Sequence, residues 1–271
     1  MAGISPKKSL GQNFLKDQNI ARNIVELLDL SPDDTVIEIG PGTGALTKHL
    51  VKKNANIIAI EIDRRAVDIL KNQYDEKDIQ IISQDFLKTD LKKLTAYNNS
   101  IKIVGNLPYY ASSQILFHLF KNAELLDSAV LMLQKEVASR ICSPTRTKDY
   151  GILTIATELS SFAQILFHVS PTCFYPEPKV WSSVVFFDFT EQIVSREKFT
   201  KVMILVRSAF NQRRKKLKNS LKNHIEKNTK LTINQYIEAL QEDQKEIFSK
   251  RAEELTARDF VDLYEQIKTH R

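Results

Sequence analysis

A chain of 271 residues, 42% of them apolar, is long enough to bury one α/β core and a smaller second one, since single domains run to roughly two hundred residues. Its N-terminus has no apolar secretory core, no apolar run approaches the roughly 18 residues of a membrane span, and Cys142 and Cys173 lack zinc-site spacing. The expectation is a cytoplasmic, monomeric protein with reduced thiols, no membrane association and no metal, whose net charge of +6 lies wholly after residue 190, where 18 Lys/Arg face 12 Asp/Glu against 21 of each before it.

In chain order, Lys8-Ser9-Leu10-Gly11-Gln12-Asn13-Phe14-Leu15 comes first and offers the amides of Gln12 and Asn13, with Leu15 beside them, to close over a ligand. Ile20, Ile24, Leu27 and Leu28 follow at the spacing of a helical face. Short apolar runs then recur at residues 36–39, 57–60, 79–82, 101–104 and 129–133, separated by helix-period segments. Unbroken apolar character is what a parallel strand covered on both faces requires, so the series predicts βαβ units and a Rossmann-like α/β fold. Residues 164–169 and 182–189 predict an antiparallel edge that brings the sheet to seven strands. Beyond them Phe199, Met203, Val206 and Phe210, then Phe260, Leu263, Tyr264 and Ile267, keep helical spacing with no further strand series. The prediction is a catalytic domain over 1–190 and a small, basic, all-helical domain over 191–271.

The strand ends carry the chemistry. The first leads into Glu38-Ile39-Gly40-Pro41-Gly42-Thr43-Gly44, a predicted turn into a helix that opens at Ala45. Gly40, Gly42 and Gly44 permit positive φ and let a ligand press against the backbone. Their spacing differs from the Gly-x-Gly-x-x-Gly that seats a pyrophosphate, which argues against NAD. The second ends in Glu61-Ile62-Asp63, which sets a carboxylate about 20 residues past the turn, where it can accept from both hydroxyls of a ribose. Ile62 sits beside it. After the third comes Gln84-Asp85-Phe86, with Asp85 an acceptor for an adenine amino group and Phe86 a face for its ring.

The fourth strand runs directly into Gly105-Asn106-Leu107-Pro108-Tyr109-Tyr110. This tetrad, Asn106 to Tyr109, suits a reaction at an exocyclic amine whose lone pair is delocalised into a base. The Asn106 side-chain oxygen can accept one N–H and the carbonyl of Leu107 or Pro108 the other. Pro108 fixes the turn, and Tyr109 offers a face for a base taken out of its stack. Further on, Phe174-Tyr175-Pro176-Glu177-Pro178-Lys179-Val180 is stiffened by two prolines and presents Phe174 to sandwich that base from the other side. From Arg207 to Lys222 there are seven Lys/Arg and no acid. Arg207, Arg213, Arg214, Lys215 and Lys216 are the candidates for phosphate contacts, which gain affinity by counterion release; the bland alternative is a solvated helix face.

Taken in order, the six motifs at 9–15, 38–44, 61–63, 84–85, 106–109 and 174–180 resemble those of the small-subunit ribosomal RNA adenine dimethyltransferases, the KsgA family. The resemblance implies a class I methyltransferase fold and S-adenosylmethionine as methyl donor, held by Asn13, Leu15, Gly40, Glu61, Asp85 and Asn106. It also implies transfer of two methyl groups to N6 of each of two adjacent adenosines, in a hairpin near the 3′ end of the RNA of an assembling small ribosomal subunit. The helical domain would dock on that particle. Two alternatives stay open: a macrolide-resistance type enzyme acting on large-subunit RNA, and a non-catalytic assembly factor or RNA-binding protein on the same scaffold.

Overall fold

The computed structural model describes residues 4–7, 10–94 and 101–269; Lys8 and Ser9 of the N-terminal motif lie outside the described residues. The chain divides into two units, Met1–Ala138 with Ser161–Glu191, and Ser139–Ser160 with Gln192–Arg271. A single cut near 190 therefore does not describe it, because residues 139–160 group with the C-terminal part.

Among the described residues the first unit holds nine strands: β1 (Phe14–Leu15), β2 (Thr35–Ile39), β3 (Asn56–Glu61), β4 (Gln80–Ser83), β5 (Ile101–Asn106), β6 (Leu126–Gln134), β7 (Phe162–Val169), β8 (Phe174–Tyr175) and β9 (Ser182–Asp188). Seven form one sheet in the order β4-β3-β2-β5-β6-β9-β7, the predicted Rossmann-like sheet. The first five are parallel, and β9 runs antiparallel to both its neighbours. Four of the five unbroken apolar runs became the inner strands β2, β3, β5 and β6, and the fifth the edge strand β4; every residue of β2 is buried, as covering on both faces demands. Its described α-helices are α1 (Gln18–Glu26), α2 (Thr47–Leu50), α3 (Arg64–Gln73) and α4 (Ser112–Lys121). Asp17 and Asp63 start α1 and α3 by accepting from the first free backbone N–H groups. The helix expected at Ala45 begins two residues later, at Thr47, because Gly44 holds φ at +83° and keeps the chain in a turn.

The strand order reverses between β2 and β5, and in open α/β sheets ligands collect outside the carboxyl ends at such a switch. Those two ends come close together. A Cβ on Gly105 would lie 2.8 Å from the Ile39 carbonyl oxygen, so only glycine lets β5 pair with β2 in the observed Ile39–Gly105 register. β1 and β8 pair with each other in a separate two-stranded ladder that sequence periodicity could not reveal, each being two residues long.

The second unit is helical among its described residues: α5 (Lys135–Ile141), which enters from the first unit, α6 (Ile152–Ser160), α7 (Arg196–Phe210), α8 (Leu217–Ser220), α9 (Lys222–Thr229), α10 (Ile233–Glu238), α11 (Glu242–Lys245) and α12 (Ala257–Thr269). The buried faces of α6, α7 and α12 meet, with Ile155 and Leu159 packed into the same core as Val202, Val206, Phe260 and Leu263. The Tyr150 hydroxyl donates to the Leu255 carbonyl at 2.7 Å, which ties the early loop to the segment before α12. Among the described residues, no helix is long and apolar enough to cross a membrane.

Candidate active site

The glycine turn after β2 holds φ at +64°, +56° and +83° at Gly40, Gly42 and Gly44. Space separates their roles. A Cβ on Gly40 would meet nothing within 4 Å, so its backbone opens onto a cavity, whereas one on Gly42 would meet the Phe14 ring at 3.0 Å. At Gly44 a Cβ would touch Leu70 of α3 at 3.3 Å, and Gly44 does not line the cavity. Sequence spacing assigned all three to a ligand; Gly44 instead serves the turn and its packing on α3.

Glu61, at the end of β3, is buried and braces the turn: one carboxylate oxygen accepts from Gly42 N at 2.9 Å and the other from Asp63 N at 2.8 Å. Burial raises its pKa above the usual carboxylate value, against the pull of these backbone donors. A carboxylate has roughly four lone-pair sites, so these bonds leave acceptor capacity for a ligand. Glu38, which the sequence reading passed over, is 1% exposed, lines the same cavity and accepts from the Thr47 hydroxyl at 2.7 Å. Burial pushes its pKa from 4.5 to about 8, with the nearby Glu61 charge adding to the rise. A carboxyl whose folded pKa lies above its unfolded value stabilises below the unfolded value and loses that contribution as pH rises. Stability is thus expected to fall between about pH 4.5 and 8 with a slope of up to one proton, about 1.4 kcal/mol per pH unit. Glu38→Gln, which retains an acceptor for Thr47, should flatten that slope in urea unfolding measured across the window; an unchanged slope would show that Glu38 is ionised in both states.

Ile62 is half exposed at the cavity wall. Asp85 accepts from Leu87 N at 3.0 Å, capping the short turn that follows β4, and also lines the cavity. Phe86 is largely buried, its ring edge to face with His118 at a centroid distance of 5.3 Å. Gln12, Asn13 and Leu15 border the same space, with the Asn13 amide donating to the Gly11 carbonyl at 3.3 Å. The Gln12 amide, however, is turned to Asp63 at 3.0 Å.

At the end of β5 the Asn106 side-chain nitrogen donates to the Asn13 backbone carbonyl at 2.9 Å. That commits the nitrogen and leaves the side-chain oxygen as the acceptor. Leu107 N continues the ladder to Met132 O at 3.0 Å, and the Pro108 carbonyl accepts from Ala111 N at 3.1 Å to close the turn. No described residue donates to the Leu107 carbonyl, which makes it, of the two candidates, the one with full capacity for a ligand. The Tyr109 hydroxyl lies 2.9 Å from Ser182 Oγ, so its ring is anchored from β9. Burial raises the pKa of Tyr109, keeping the hydroxyl protonated at neutral pH. Tyr110, 59% exposed, adds a second aromatic at the cavity wall.

These groups surround one cavity of about 270 Å³. Of the predicted site residues in the first unit, all but Gly44 and Phe174 line it. Phe174 is fully buried in the core under the β1–β8 ladder, where it pairs with Leu15. Alternation along β8 turns it inward and leaves Tyr175, 60% exposed, outward. Phe174 therefore does not face a base, and the solvent-facing aromatic of that segment is Tyr175. Phe14, Glu38, Tyr110 and Gln114 line the cavity without having been predicted; for Glu38 a signal existed, a lone carboxylate inside an otherwise apolar strand.

In the second unit Arg213 is already engaged. Its guanidinium donates to Glu253 at 2.7 Å and to the Thr147 carbonyl at 2.9 Å, joining two loops. Arg214, Lys215 and Lys216 are exposed beside it, and Arg207 lies in the last turn of α7.

The family model described as ribosomal RNA adenine dimethylase matches residues 3–257. A ribosomal RNA small subunit methyltransferase A from Alkaliphilus metalliredigens is 40% identical over 96% of this chain and 91% of its own. Among solved structures, a dimethyladenosine transferase from Plasmodium falciparum superposes with a TM-score of 0.82 at 27% identity, over 95% of this chain and 98% of that one. The 23S rRNA methyltransferase ErmE shares the fold, with a TM-score of 0.65 at 22% identity over 94% of this chain and 100% of its own.

Proposed function

Because the chain belongs to the ribosomal RNA adenine dimethylase family, we propose that it transfers methyl groups from S-adenosylmethionine to N6 of two adjacent adenosines in small-subunit (16S) ribosomal RNA, giving N6,N6-dimethyladenosines. The observation that carries the reading is Asn106. Its amide nitrogen is held by Asn13, which reserves the oxygen as an acceptor beside the open Leu107 carbonyl.

The residues fit the methyl donor. Gly40 presents bare backbone to open space, Glu61 keeps lone pairs for ribose hydroxyls, and Asp85 and Phe86 offer an acceptor and an apolar wall for an adenine. When bound, S-adenosylmethionine supplies an electrophilic methyl group and its own leaving group. The protein's task is then alignment. Asn106 Oδ1 and the Leu107 carbonyl accept the two N6–H groups, which localises the nitrogen lone pair by drawing it out of conjugation with the ring and aims it. Tyr109, anchored by Ser182, gives the extruded base a face to stack on. No strongly basic side chain is needed, since the N6 proton becomes acidic once the nitrogen is alkylated.

The likeness to ErmE is one of fold, whereas the 40% identity to small-subunit enzymes spans nearly the whole chain; the small-subunit target is therefore preferred. Incubating isolated small and large subunits with labelled S-adenosylmethionine and mapping dimethyladenosine tests it: label confined to large-subunit RNA would overturn the assignment.

The protein is read as a cytoplasmic monomer that docks on assembling small subunits through Arg214, Lys215 and Lys216 of the second unit. Reversing Arg214 and Lys215 to Glu should weaken subunit binding and lower the salt dependence of log K by about one per lost phosphate contact. Arg213→Ala should chiefly lower the melting temperature, because that side chain holds Glu253 and Thr147 together. The opposite pattern in binding and melting measurements would show Arg213 to be the phosphate contact.

A further inference from the structure

Asp63 is a nearly fully buried carboxylate outside the cavity wall, and more donors converge on it than helix capping requires. It accepts from Arg65 Nε at 3.1 Å and Nη2 at 2.6 Å, from Gln12 Nε2 at 3.0 Å and from Lys7 Nζ at 3.5 Å. Arg65 also reaches the Ser5 carbonyl at 3.1 Å, and the Gln12 side-chain oxygen accepts from Lys7 N at 2.8 Å. Ser5, Lys7 and Gln12 are thereby tied to the end of β3. One residue on, the Asn13 carbonyl receives the Asn106 amide, and Phe14 packs on the glycine turn at Gly42. A buried charge thus anchors a strap whose next residue determines which end of Asn106 is free.

We infer that Asp63 is a positioning residue for methyl transfer: by holding Gln12 it fixes the strap, and the strap's Asn13 carbonyl orients the Asn106 amide so that its oxygen meets the base. The inference rests on the reading of Asn106 as the group that grips the amine. A strap fastened at Asp63 acts on the site only through the Asn13 carbonyl that holds Asn106, yet a misplacement of about 1 Å in a catalytic group can cost on the order of a hundredfold.

Asp63→Asn would strip charge from several donors at once and risk the fold, so Gln12→Ala is the informative variant; it leaves the Asp63–Arg65 pair intact. In the ligand-free protein, hydrogen exchange at the Asn106 side-chain amide, followed by ¹⁵N NMR, should speed up about tenfold. At saturating substrates, single-turnover methyl transfer should fall about tenfold in the wild-type background and less than twofold in Asn106→Ala, because the strap acts through that side chain. Equal losses in both backgrounds, or unchanged exchange at Asn106, would overturn the inference. An Asn106→Ala protein as fast as wild type would overturn the reading of the site itself, and the exchange measurement would still decide whether the strap holds the amide.

Discussion

Asn106→Ala is expected to slow methyl transfer to ribosomal RNA by about two to three orders of magnitude, the usual loss when a preorganised polar group aimed at the reacting centre is removed. The effect should appear in kcat, because the acceptor matters most as N6 becomes pyramidal. The fold should survive. The side chain makes one hydrogen bond, to Asn13 O at 2.9 Å, worth about 1 kcal/mol, so the melting temperature should drop by only a few degrees. Asn106→Asp offers a contrast: it retains an acceptor, loses the donor and turns a negative oxygen toward the Asn13 carbonyl, so it too should be impaired. Single-turnover assays with labelled cofactor and under-methylated small subunits compare both variants with wild type; wild-type rates for Asn106→Ala would remove the mechanism.

Glu61→Ala should act on binding. The proposed contacts to two ribose hydroxyls are charge-assisted, and losing them at a net cost of about 3 kcal/mol would weaken S-adenosylhomocysteine binding roughly a hundredfold. Titration calorimetry reads this directly. Because burial raises the Glu61 pKa, while hydroxyl donors favour the ionised form, binding should also weaken as pH falls into the range where Glu61 takes up a proton, and the variant should lose that dependence. Some stability goes as well, since Gly42 N and Asp63 N both lose an acceptor in a buried setting. Unchanged affinity with lowered stability would reduce Glu61 to a brace for the turn.

Much of this was legible in the sequence because it is written at short range. Five continuous apolar runs and two edge segments marked the seven strands of the sheet to within a few residues, since an inner strand buried on both faces leaves little room for polar positions. Motifs at strand ends marked the cavity for the same reason: a parallel sheet delivers the ends of β2, β3, β4 and β5 to one edge. The failures are of long range. Phe174 was read as exposed because proline-bracketed loops are usually surface, yet the pairing of β8 with β1, some 160 residues earlier, turns it into the core. Arg213 was grouped with its neighbours by charge, and nothing local announces Glu253 and Thr147 as its partners. At Gly44, glycine spacing alone cannot say whether a missing Cβ makes room for a ligand or for Leu70.

The chain leaves the first unit at residue 138, lends 139–160 to the second, and returns before leaving again at 191. During synthesis the apolar face of α6, with Ile155 and Leu159, emerges long before α12 and its Phe260 and Leu263 exist. At roughly 10 residues per second, α6 waits about ten seconds for that partner. A chaperone or nascent-chain contact has its natural window in that interval. Premature termination near 190 would therefore release a sheet domain carrying an orphaned greasy helix, which makes truncated products of this protein candidates for aggregation.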